Sequence, residues 1–150
     1  TIDRTGHLHT RLPEEYRVAY RGVEGVADEW FVAARLSLQQ GDSDSAQSAI
    51  RELLAKRAAT QPTNQYSCGS VFRNPPGDHA ARLIEAAGLK GKTLGGAQVS
   101  EKHANFIVNT GDASAADIET LVNQVQGRIE QLYGVRLETE VRVVGEYAAR

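Results

Sequence analysis

The chain has 150 residues, enough for one ordinary domain, and its 41% hydrophobic content can fill a core. A net charge of -2 offers no global field to nucleic acid or an anionic membrane, and no run of about 18 apolar residues occurs to make a membrane-spanning helix. Cys68 is the single cysteine, so no internal disulfide can form and a reducing cytoplasm suits the chain.

Thr1 opens a sequence without methionine, which points to a start further upstream. No charged, then apolar, then small-residue leader precedes the body, which argues against a secretory signal. Thr1–Arg4 and His7–Thr10, separated by Thr5-Gly6, predict two short strands around a turn. Pro13-Glu14-Glu15-Tyr16 predicts one helical turn with proline at its start. From Glu29 to Leu38, apolar Val32, Ala34, Leu36 and Leu38 recur at period two, the pattern of a strand with one packed face.

Gly41 to Ser45 breaks that strand and supplies helix N-caps. Ala46, Ile50, Leu53, Leu54 and Arg57 then follow at helical spacing, predicting an amphipathic helix that ends before Pro62. The polar segment from Thr60 to Ser67 reads as a hinge between two bodies. Beyond it, Ser70-Val71-Phe72 predicts a short strand stopped by Asn74-Pro75-Pro76-Gly77. Ala80, Leu83, Ile84 and Ala87 mark a helix closed by Gly88, and Ala104 to Asn109 a short buried strand. Asp112 and Ser114 introduce a long helix with the stripe Ile118, Leu121, Val122, Val125, Ile129 and Leu132, stopped by Gly134. Leu137 to Gly145 alternates as a closing strand. The organisation is α+β throughout.

Chemistry-bearing residues are scattered along this plan. Glu140 and Arg142 share a face of the closing strand and could orient a carboxyl and a guanidinium at one target; the plainer reading is a solvated ion pair. Ser67-Cys68-Gly69-Ser70 would let backbone approach a ligand closely, with a hydroxyl at hand, or it is a simple turn. Arg21 in Tyr20-Arg21 could clamp a carboxylate bidentately, and Lys102-His103 could meet phosphate oxygens. Arg73, Arg82, Lys90, Lys92 and Lys102 slightly outnumber the acids around them, which suits a solvated surface or a small anion such as a diphosphate. Gly95-Gly96 is a turn dipeptide, neither a dinucleotide fingerprint nor a P-loop. No metal-ligand set is assigned.

Taken in order, these segments carry a resemblance. Tyr66-Ser-Cys-Gly-Ser-Val-Phe-Arg-Asn-Pro-Pro-Gly77, Ala86-Ala-Gly-Leu-Lys-Gly91, Gly95-Gly-Ala-Gln-Val-Ser100, Lys102-His-Ala-Asn-Phe-Ile-Val-Asn109 and Leu137-Glu-Thr-Glu-Val-Arg-Val-Val-Gly145 resemble the motifs of the MurB family. Asp3-Arg-Thr-Gly6, Tyr20-Arg21 and Trp30-Phe31 resemble the end of that family's flavin domain. The resemblance implies an NADPH-dependent, FAD-containing reductase of bacterial peptidoglycan precursor synthesis. It reduces the enolpyruvyl group of UDP-N-acetylglucosamine enolpyruvate to give UDP-N-acetylmuramate. By the same resemblance Ser70 is the proton-donating serine, while Glu140 and Arg21 support the enolate-like intermediate. Tyr20, Asn74, Lys102, His103 and Arg142 match substrate-binding or neighbouring positions.

The implied division is residues 1–61 as the end of the FAD-binding domain with a connecting helix, 62–136 as the substrate-binding domain, and 137–150 as a strand returning to the flavin body. Val23 stands where the family often has serine and Thr60 where it often has lysine; the short Gln39-Gln40-Gly41 connection fits the shorter subclass. The family's glycine-rich flavin half is expected as an N-terminal domain in cis, and without it this segment is expected to hold no FAD and to turn over no substrate. Two other readings compete: a non-catalytic module for a nucleotide sugar or a protein partner, and a flavin oxidoreductase with another substrate.

Overall fold

A computed structural model describes residues 1–145, which divide into two compact units, Thr1–Asp42 and a second that begins at Ser43. In the first unit β1 (Ile2–Asp3) precedes the 3-10 turn Pro13–Glu15, a hairpin of β2 (Arg17–Ala19) and β3 (Gly22–Glu24), and β4 (Glu29–Trp30). β1 and β4 pair antiparallel, with Ile2 opposite Trp30. The predicted turn at Pro13 is present. The predicted strand His7–Thr10 is not: only Leu8 bridges, to Ile2. The reason is local competition, because the Asp3 carboxylate accepts from Thr5 N at 2.8 Å, His7 N at 3.0 Å and His9 Nε2 at 2.8 Å, which curls the loop. Arg11 grips both carboxylate oxygens of Glu29, and Thr1 Oγ1 donates to the same group at 2.6 Å. Those bonds hold the Glu29 carboxyl down to about 2.

The predicted strand from Glu29 to Leu38 shrinks to Glu29–Trp30. Val32, Leu36 and Leu38 are 57%, 75% and 83% exposed, so the alternation in the sequence has no packed face to serve. A strand needs a ladder partner as well as a pattern, and no described segment pairs with residues 31–38.

The second unit opens with α1 (Ser43–Thr60), the predicted helix, but its apolar stripe is not buried; Ile50, Leu53 and Leu54 are all exposed. There follow β5 (Tyr66–Ser70), α2 (Ala80–Ala86), a hairpin of β6 (Thr93–Leu94) and β7 (Ala97–Val99), β8 (Phe106–Asn109) and α3 (Ala115–Tyr133). Four strands form an antiparallel sheet in the order β5-β8-β7-β6, against which α3 packs, with α2 beside it. The core joins Phe72, Leu83 and Ile84 to Val99, Ile107 and the α3 residues Leu121, Val125 and Ile129. Six residues of the α3 stripe were expected inward, and Leu132 alone remains substantially exposed, at 43%.

Two strands differ from expectation. The one expected at Ser70–Phe72 lies earlier, at Tyr66–Ser70, because Tyr66 and Ser67 register with Asn109 and Val108 of β8. The closing strand from Leu137 to Gly145 is not a ladder. Leu137 is buried and Thr139 bridges to Phe72, but the pairing stops once the Val71 carbonyl has accepted from both Glu140 N, at 2.8 Å, and Val141 N, at 3.4 Å. The last residues of the chain, including part of the segment expected to return to the flavin body, lie outside the described residues.

Candidate active site

Ser70 ends β5 at an irregularity. The β5–β8 register shifts between Ser67 and Ser70, and Gly69 takes φ +84, a conformation that other residues adopt only under strain. Immediately after Ser70 the chain leaves the ladder and is held from two sides. On one side Glu140 N donates to Val71 O and Arg73 N donates to Glu138 O, both at 2.8 Å. On the other, Val71 N donates to Asn105 O at 2.9 Å, Phe72 N to Asn105 Oδ1 at 3.0 Å, and Asn105 Nδ2 to Phe72 O at 2.8 Å. Ser70 and Glu140, seventy residues apart in sequence, thus stand on adjacent, cross-braced backbone. Both are half-buried, and one carboxylate oxygen of Glu140 is shut off from solvent.

The loop from Ser100 to Asn105 supplies the next group. Ser100 is buried, and its Oγ accepts from Lys102 N at 3.2 Å and His103 N at 3.4 Å. The His103 ring stands edge-on to Phe106 with centroids 4.9 Å apart, and its Nδ1 accepts from Asn105 N at 3.3 Å. That acceptor role fixes a neutral ring with its proton on Nε2. Burial, then the nearby Lys90 charge, pushes the imidazole below its ordinary value, which favours the same form. Lys102 Nζ donates to Ala58 O at 3.0 Å, placing a cation on the carbonyl end of α1. Asn74 Oδ1 accepts from Ala80 N at 3.1 Å, so its side chain caps the start of α2. Arg142 is exposed and lines a groove of about 700 Å³ with Tyr66, Cys68, Val122 and Gln126.

Tyr20 and Arg21 belong to the first unit, at the two-residue turn between β2 and β3. Arg21 has φ 56, and its guanidinium lies 5.8 Å from the centre of the Tyr20 ring. Asn105 is the residue that sequence reasoning passed over. Its signal was a polar side chain inside the apolar run Ala104–Val108, which obliges it to find hydrogen-bond partners when buried.

A flavin dinucleotide needs backbone N–H groups free to cradle its pyrophosphate. The closest-spaced glycines, Gly95 and Gly96, make the β6–β7 turn. A Cβ at Gly96 would lie 2.3 Å from Ala113 N, and one at Gly95 would lie within 2.7 Å of the Asp117 carboxylate. That turn is filled by the start of α3 and bordered by carboxylates that repel a phosphate. That turn does not fit the dinucleotide.

Ser70 and Glu140 thus lie on neighbouring, hydrogen-bonded backbone segments of a small α+β domain. The chain belongs to the family of the UDP-N-acetylenolpyruvoylglucosamine reductase C-terminal domain, whose model matches residues 61–144. It is 63% identical over 99% of its length to the reductase of that name from Methylococcus capsulatus, and 60% identical over 97% to that of Alkalilimnicola ehrlichii. It spans 49% of each of those relatives, about half their length. A crystal structure of the Thermus caldophilus reductase (MurB) superposes with a TM-score of 0.76 at 36% identity, covering 89% of this chain and 47% of that one.

Proposed function

We propose that this chain is the substrate-binding portion of an NADPH-dependent, FAD-containing reductase that converts UDP-N-acetylglucosamine enolpyruvate to UDP-N-acetylmuramate in bacterial peptidoglycan synthesis. The observation that carries the reading is the pair of 2.8 Å backbone hydrogen bonds that bind the Glu138–Glu140 segment to the residues following Ser70. Hydride delivery from flavin and NADPH is assigned, by family membership, to the half of the relatives' length that this chain does not span. The chain's own residues handle the proton. Addition of hydride to the enolpyruvyl methylene carbon makes it a methyl group and leaves an electron pair on C2, delocalised into the carboxylate. The Ser70 hydroxyl gives its proton to C2. Glu140, half-buried, is assigned to support that transfer, and Arg21 to offset the charge on the substrate carboxylate. Asn74, His103, Lys102, Tyr20 and Arg142 are assigned to the nucleotide sugar and its surroundings, with the neutral His103 donating through Nε2. The domain division is proposed as 1–61, 62–136 and 137–150, and the setting as the bacterial cytoplasm, where a soluble nucleotide substrate and NADPH are both at hand.

Protein spanning the full length of the relatives should consume NADPH when given the enolpyruvyl nucleotide sugar and not when given UDP-N-acetylglucosamine. Equal consumption with both would refute the substrate assignment. The present chain alone should lose flavin on dialysis, and a yellow protein afterwards would show that it makes its own cradle.

A further inference from the structure

Resting on that reading, we infer that Asn105 is a positioning residue, one that sets the spacing between the Ser70 hydroxyl and the Glu140 carboxyl. The segment that follows Ser70 has left the β5–β8 ladder, so its peptide groups need partners from elsewhere. Asn105 supplies them as a strand would. Its side-chain amide offers one acceptor and one donor to the same residue, taking Phe72 N at 3.0 Å and giving to Phe72 O at 2.8 Å. Its own carbonyl takes Val71 N at 2.9 Å.

The opposite edge of the same two-residue stretch carries Glu140. Val71 O accepts from Glu140 N at 2.8 Å, and Phe72 bridges to Thr139. A shift of the Phe72 peptide therefore moves the closing segment relative to Ser70. Asn105 is 4% exposed, so water does not stand in for the lost amide, and the hydrogen bond from Asn105 N to the ring Nδ1 of His103 holds it in place. An isosteric carboxylate at this position keeps the acceptor, loses the donor and repels Phe72 O. The geometry of this stretch thus requires an amide here, at a position closed to solvent.

The test uses protein spanning the full length of the relatives, with Asn105→Asp and Asn105→Ala. Misplacing a proton donor by a fraction of its reach should lower kcat about 100-fold. KM for the enolpyruvyl nucleotide should stay within about threefold, since its binding groups are untouched. The solvent deuterium isotope effect on kcat should grow, as proton delivery becomes the slow step, while melting remains cooperative. A kcat within about twofold of the unsubstituted protein in either cooperatively melting variant overturns the inference. Loss of kcat and KM together, or of cooperative melting in both variants, also overturns it, since the role is then structural only. If the unsubstituted protein forms no product, the functional reading fails first, before any variant is compared.

Discussion

His103 shows how a single side chain is specified by what surrounds it. The sequence presents a histidine beside a lysine in a loop, equally suited to capping, packing or meeting phosphate. The structure narrows the choice through Phe106 at 4.9 Å and the backbone N–H that occupies Nδ1. With its value depressed below the ordinary 6.5, the ring is neutral at pH 7. As pH falls below about 6.5 the unfolded chain takes up the proton before the folded one does, so stability declines as pH drops toward the depressed value. Titration of the His103 ring by NMR should give a midpoint below 6.5, and replacement by Gln should remove the corresponding slope from the stability profile; a midpoint at or above 6.5 contradicts the assignment. Asn105 teaches the complementary lesson. That a polar residue in an apolar run must be bonded is legible from sequence, but its partner, Phe72, lies 33 residues away and is supplied only by the fold.

At the scale of elements, what could be read from sequence follows the range of the forces involved. α3 was legible, with its stop at Gly134, because its signals are local: Ser114 and Asp117 exchange hydrogen bonds at 3.1 and 2.9 Å, and Gly134 closes the helix at φ 66. Ser114→Ala should cost about 1 kcal/mol, and Gly134→Ala, which forces an alanine into the left-handed region, about 1–2 kcal/mol. Urea denaturation that showed no change for either would mean that α3 is held by packing alone. The β elements fared less well. The β6–β7 hairpin carried only its Gly95-Gly96 turn as a sign, its strands being two and three residues long. Residues 31–38 and 137–145 carry period-two alternation, yet a ladder depends on a neighbour from any part of the chain. Periodicity reports which face of a strand is apolar, not whether anything lies against it.

For the whole molecule, the α+β class and the family motifs were readable from sequence, because each motif is a contiguous run. The pairing of Glu140 with Val71, next to Ser70, was not, since it rests on hydrogen bonds between segments about seventy residues apart. The resemblance named both Ser70 and Glu140; the fold puts them on neighbouring backbone segments. Arg21 lies in the first unit and Ser70 and Glu140 in the second. The central claim is that Ser70 serves proton delivery rather than the fold or the earlier electron transfer. Single-turnover kinetics of Ser70→Ala in full-length protein tests it most directly. Flavin reduction by NADPH should proceed at the unsubstituted rate, while product formation from the enolpyruvyl nucleotide slows by roughly 10²–10⁴-fold. Equal slowing of both steps, or no slowing of the second, would contradict the account.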